Sequence, residues 1–191
     1  MYVERLALLG ALPLYTFVVP EPVVAEITDP GHVQQLQDAL QRHDLRQEAI
    51  AAPHELTVYA ELRRIMGQGE AACVAMAAVR GWMVASDERR RFRREVVARL
   101  GEGRLVTTAG LFVLAIRAGL LSVDKADHAK AVLEQHRFRM TFASFREAAR
   151  PALVLRAAVC IDMTTPGIHI CLWDQASPSH GRQRCPLPPW P

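Results

Sequence analysis

No apolar run in this sequence reaches the roughly 20 residues that a membrane-spanning helix requires. The longest, such as 105–116, is broken by polar residues. The N-terminus lacks a basic stretch followed by an uninterrupted apolar one. Glu4 and Arg5 precede the apolar run 6–14 and no export pattern follows, so the chain is expected to be cytoplasmic and without a membrane partner. Cysteine is scarce: four residues, at 73, 160, 171 and 185, too few and too uneven for a disulfide framework. His169, Cys171, His180 and Cys185 match no compact zinc spacing. Neither GxxxxGK[ST] nor GxGxxG occurs, which removes the familiar phosphate-binding loops, and no GxSxG nucleophile elbow is present. There is no internal repeat.

What remains is the composition of a globular domain. Of 191 residues, 50% are hydrophobic and 23% charged, enough for one domain with a sizeable core. The formal net charge is only +3. It is concentrated: Arg89, Arg90, Arg91, Arg93 and Arg94 surround Phe92, and those five charges exceed the whole surplus.

Short apolar strands alternate with helical segments. Residues 5–12 predict a helix closed by Pro13, and Phe17–Pro20 a strand leading into a helix with Pro22 in its first turn. Asp29-Pro30-Gly31 is a turn, 32–43 a helix, and 48–51 a short strand. A helix is expected over 56–66. A second, alanine-rich one opens at Glu70 and ends near Gly81; small residues favour the helix and let it lie close to a sheet. Residues 82–85 and 105–107 predict strands. Helices are predicted over 88–100, 108–121, 123–136 and 142–150, with Ser122 as a cap. The alternation implies an α/β fold with a parallel sheet. Residues 1–150 form the domain and 151–191 a C-terminal extension, apolar over 152–163 and proline-rich and disordered from about 177.

Three carboxylates hold comparable positions. Glu26 lies just beyond a strand, Glu70 opens a helix, and Asp87 follows a strand directly. Ligands of open parallel sheets bind outside the carboxyl ends of the strands. Carboxylates gathered there repel one another, and a hard divalent cation such as Mg²⁺ or Mn²⁺ would offset that repulsion. An acid at a helix start also complements the helix dipole with no metal present.

Order and context bring out a family resemblance. Val18-Val19-Pro20-Glu21-Pro22-Val23-Val24-Ala25-Glu26-Ile27 resembles the second-acid segment of the PIN-like nuclease family, in its uncharacterised VapC-related subgroup. Gly69-Glu70-Ala71-Ala72-Cys73-Val74-Ala75-Met76-Ala77 resembles that subgroup's Gly-Glu-Ala helix. Val84-Ala85-Ser86-Asp87 is similar to its strand-then-Asp motif, and 105–121, with Thr107, Thr108 and Gly110, to its next strand, turn and helix. The resemblance covers about residues 2–148. It implies a three-layer sandwich around a central parallel sheet, and a Mg²⁺- or Mn²⁺-dependent ribonuclease that cuts single-stranded RNA. It makes Glu26, Glu70 and Asp87 the metal-holding, catalytic acids. Toxin–antitoxin toxins belong to this family, so an antitoxin protein and a homodimer are implied partners. The family opens with a strand carrying an Asp; here Met1 falls in or after that strand, so the domain is expected to be N-terminally truncated and without its first acid. The alternative function is a catalytically inactive PIN-like fold that binds protein or RNA.

Two smaller signals complete the site. Five arginines beside Asp87 suit an RNA backbone, since phosphate contacts dominate affinity, or else a protein partner or a solvated helix face. Phe92 is placed in the core by helical spacing, with base stacking as the alternative. Thr107 and Thr108 either position a metal-bound water, as the resemblance implies, or cap the helix that follows. Cys73 is expected to be a small buried hydrophobe.

Overall fold

The computed structural model describes residues 6–87, 90–136, 138–150 and 168–172. Residues 1–5, the apolar stretch 152–163 and the proline-rich tail lie outside them.

The first helix, α1 (Ala7–Ala11), leads to β1 (Tyr15–Pro20), in which Phe17, Val18 and Val19 are all buried. A continuous apolar strand of this kind belongs inside a parallel sheet covered on both faces. Pro22 sits in the first turn of α2 (Glu21–Glu26), where its missing N–H costs nothing. Asp29 caps α3 (Pro30–Gln41) by accepting from the His32 amide at 2.9 Å. The edge strand β2 (Arg46–Glu48) starts two residues before the predicted one, and α4 (Pro53–Leu62) starts earlier than its apolar positions suggested, because Pro53 can begin a helix.

The alanine-rich helix α5 (Gln68–Arg80) is buried over Ala71–Ala77. It touches β1 and the strands Met83–Ala85 and Ile168–Leu172 of the sheet, and packs on α2, α4 and the helix Arg91–Leu100. Its small side chains permit that approach on every side. It ends at Gly81, whose φ of 70° is the left-handed conformation that favours glycine. Then come β3 (Met83–Ala85), α6 (Arg91–Leu100), β4 (Leu105–Val106), α7 (Thr108–Arg117), α8 (Val123–Gln135) and α9 (Phe145–Ala148). Helix α6 begins at Arg91 rather than at 88.

The last strand among the described residues is β5 (Ile168–Leu172). The sheet order is β2-β1-β5-β3-β4, with every pairing parallel. The protein is therefore an α/β sandwich with a five-stranded parallel sheet flanked by helices, as the sequence predicts. The surprise is its centre. A central strand was expected to be missing before α1; the central position is held by β5, drawn from the region assigned to a C-terminal extension. Phe17 lies opposite Ile170 and Val18 opposite Cys171 on one side, and Val84 opposite Cys171 on the other.

Helices α8 and α9 are tied by Asp127, which accepts from the Ser144 hydroxyl at 2.6 Å and the Phe145 amide at 2.7 Å. Phe145 is fully buried, 4.9 Å from the Phe142 ring in an edge contact and 5.3 Å from Phe112. Truncation of Phe145 to Ala is expected to lower unfolding stability by about 3–5 kcal/mol in a denaturant titration, from reduced burial and the cavity left behind.

Candidate metal centre at the carboxyl edge of the sheet

The strand order creates the site. From β1 the chain moves outward to β2, and from β3 outward to β4, so the direction of winding reverses between β1 and β3. In open parallel sheets that reversal leaves a crevice at the carboxyl ends of the strands. Two of the predicted acids follow strands there, Glu26 at the end of α2 after β1 and Asp87 after β3; the third, Glu70, is on the first turn of α5, which packs against α2. Each is half-buried.

Glu26 and Glu70 meet at the start of α5. One Glu26 oxygen accepts from the Gly69 amide at 3.1 Å, and one Glu70 oxygen accepts from the Gly67 amide at 2.9 Å. Both satisfy N–H groups that a helix start leaves without intrahelical partners, and the helix dipole offsets their like charge. Both also act on the Cys73 thiol, one turn along the helix. Burial pushes that thiol well above its usual range, assisted by the hydrogen-bonded Cys171 and then by the two carboxylates.

Asp87 is held separately, by α7. The Thr108 amide donates to Oδ1 at 3.1 Å and the Thr108 hydroxyl donates to Oδ2. Thr107 caps α7, its hydroxyl accepting from the Gly110 amide at 3.1 Å. The two threonines thus divide the tasks: one fixes the helix start, the other orients the acid. The Ser86 amide, donating to the Val106 carbonyl at 2.8 Å, fixes the backbone ahead of Asp87.

Carboxylate oxygens suit a hard divalent cation. The described residues fit one only in part: Glu26 and Glu70 come together, Asp87 stands at the neighbouring strand end, and no group of three His, Cys, Asp or Glu side chains among the described residues is placed to hold a metal. After β5, whose Leu172 pairs with Ala85, the next acid in the sequence is Asp174. It lies outside the described residues, as do His180 and Cys185.

Of the five arginines, Arg90, Arg91, Arg93 and Arg94 are exposed, and Arg89 lies outside the described residues. Phe92 is 3% exposed and packs in the core with Val96, which removes base stacking. The first turn of α6 carries no acidic residue. Arginines crowd instead at the end where the helix dipole disfavours positive charge, so the arrangement does not serve helix stability.

The sequence pattern singled out the three acids and the Thr107-Thr108 pair, but not which acid each support holds. The grip of Thr108 on Asp87 and of Gly69 on Glu26 spans 21 and 43 residues. Strand β5 did carry a signal, the apolar run Ile168-His169-Ile170-Cys171-Leu172. No helix of the described residues is long and apolar enough to cross a membrane.

A family model described as a PIN domain matches residues 1–152. No curated protein and no solved structure matches the chain.

Proposed function

The chain belongs to the PIN-domain family, and from that premise we propose that it is a divalent-metal-dependent ribonuclease acting on single-stranded RNA. The observation that carries this reading is the position of Glu26, Glu70 and Asp87 at the carboxyl edge of the sheet where its winding reverses. Glu26, Glu70 and Asp87 are the proposed metal-holding and catalytic acids. Mg²⁺ or Mn²⁺ bound there would supply Lewis acidity and an activated water. Thr108 orients Asp87, and Thr107 holds the helix that carries Thr108. Arg89, Arg90, Arg91, Arg93 and Arg94 are proposed to bind the RNA backbone.

The partial fit of the described acids leads to a further candidate. Strand β5 runs parallel to β3 toward the edge that bears Asp87, and the sequence has an acid two residues after Leu172 just as it has one two residues after Ala85. We propose Asp174 as a fourth metal-holding acid. A second reading, a PIN-like fold that binds RNA or protein without cutting, is favoured by the lack of a three-ligand group among the described residues. A toxin role in a toxin–antitoxin pair extends the proposal, with an acidic antitoxin segment meeting the same arginines and a homodimer as the assembled form.

The test is cleavage of a fluorescent single-stranded RNA by the full chain and by Glu26→Gln, Glu70→Gln, Asp87→Asn and Asp174→Asn. All four variants are expected to lose cleavage while still binding RNA. Equal cleavage by Asp87→Asn and wild type would remove the proposed site; loss in the other three with full activity in Asp174→Asn would remove Asp174 alone. Replacement of Arg91, Arg93 and Arg94 by Gln is expected to weaken RNA binding, measured by fluorescence anisotropy. The slope of log affinity against log salt should become shallower by about 0.7 for each phosphate no longer neutralised. An unchanged slope would assign those arginines to another partner.

A further inference from the structure

Two arginines lie at the turn that enters the helix of the candidate site. Arg63 closes α4 and Arg64 follows it, and both are exposed. The turn they open runs to Gly67, the residue before α5. Arg63 donates through Nη1 to the Met66 carbonyl at 2.9 Å. That bond sets the guanidinium beside Gly67, whose amide donates to Glu70 at 2.9 Å. A guanidinium has five N–H donors, so most of this one stays available. Glu61, two residues before Arg63, is taken by Arg99 at 3.3 Å. Neither Arg63 nor Arg64 has an ion-pair partner among the described residues. A cation at a helix end complements the helix dipole, and Arg63 does so. Arg64 lies past that end, and its side chain makes no hydrogen bond among the described residues.

We propose that Arg63 and Arg64 bind backbone phosphates of single-stranded RNA on the Glu70 side of the candidate site, as a second grip besides the arginines of α6. The proposal rests on the ribonuclease reading and deepens it. One basic stretch stands before the helix that opens with Glu70, and the other follows Asp87; α5 packs on α6. Carboxylates repel the phosphates of a strand laid across them, and cations on either flank offset that repulsion. A single strand carries its charges at regular intervals along its length, which suits two separated groups of cations. Arginine is the side chain for this task, because its planar fork meets two phosphate oxygens at once.

The experiment measures RNA binding by the full chain in chelator, by fluorescence anisotropy. It compares wild type, Arg63→Gln/Arg64→Gln and Arg64→Gln alone, each with single strands of about 4 and about 16 nucleotides. The long strand can reach both basic stretches and the short one only one of them. For the long strand, the slope of log affinity against log salt should become shallower by about 1.4 in the double variant and about 0.7 in Arg64→Gln. The gain in affinity from short to long strand should shrink in both variants. Arg64→Gln keeps the bond from Arg63 to Met66, so it tests the proposal with the turn intact.

An unchanged slope would overturn the proposal and assign the two arginines to a protein partner. Equal loss of affinity for both lengths would also overturn it, because a disturbed turn acts on every RNA alike. Binding is read without cleavage, so a chain that holds RNA and does not cut it can still bear the proposal out. A shallower slope on replacement of Arg91, Arg93 and Arg94, with none on replacement of Arg63 and Arg64, would remove this grip and leave the ribonuclease reading standing. Wild type that binds neither strand would overturn both.

Discussion

Asp87→Asn is expected to lower Mg²⁺-dependent RNA cleavage by at least about 100-fold without unfolding the protein. The substitution preserves the shape of the side chain and keeps one oxygen that can accept from Thr108. It removes the negative charge and replaces the other oxygen with an amide that cannot coordinate a cation. Thr108→Val acts on the same acid from behind. It deletes the hydroxyl that donates to Oδ2 and keeps the amide that donates to Oδ1 at 3.1 Å. Loss of such an outer partner is expected to lower cleavage by about 10–100-fold, less than loss of the acid itself. The two effects should not add in the double variant, because an acid already removed no longer needs orientation. Thermal melting of each variant beside wild type separates this result from unfolding. Full activity in Asp87→Asn would remove the acid from the chemistry.

A stability effect as large as that of Phe145→Ala is expected at the opposite end of α5 from Glu70. Arg80→Met should destabilise the protein by about 3–5 kcal/mol, the usual cost of stranding one member of a buried ion pair. The partner is Glu55, 1% exposed at the start of α4. Its carboxylate accepts from the Ala51 amide at 3.1 Å and the Ala52 amide at 3.2 Å. Arg80, the last residue of α5, donates to Glu55, to Glu48 at the end of β2 and to the Ala49 carbonyl at 3.3 Å, and lies 4.6 Å over the Trp82 ring. One guanidinium thus fastens the alanine-rich helix to an edge strand and to the next helix start. Arg80→Met/Glu55→Gln should recover much of the loss, since no charge is then left buried.

The same pair sets a pH dependence. The Arg80 hydrogen bond holds the Glu55 carboxyl below the usual carboxylate range, against the opposing effect of burial. A depressed carboxyl contributes stability in full above its unfolded value, near about 4.3, and loses it as pH falls through the lower folded value. Wild type should therefore lose stability in acid more steeply than Glu55→Gln. Urea titrations at pH 7 and in steps below about pH 4.3 test this; parallel profiles would contradict it.

Local pattern carried most of the fold because local physics made it. Pro22 and Gly81 mark helix ends by backbone restriction, and Phe17–Val19 marks a doubly covered strand by unbroken apolarity. Where packing decides, the pattern failed. The span of β2 shifted because its exposed Arg46 and Gln47 have no apolar signature. Strand β5 has one, but its place beside β1 and β3 depends on pairings across more than 80 residues that no local window contains. The site divides the same way. Its acids were legible as residues at strand ends and helix starts. Thr107 and Thr108 were legible beside them, but the grip of Thr108 on Asp87 and of the Gly69 amide on Glu26 was not, because each acts across the fold.

The most direct measurement is a Mg²⁺ titration of single-stranded RNA cleavage by the full wild-type chain, with RNA binding followed in the same samples. The account predicts no cleavage in chelator, cleavage that rises and saturates with Mg²⁺, and no such rise in Asp87→Asn. RNA bound but intact at every Mg²⁺ concentration would contradict it and leave a binding module on a PIN-domain fold.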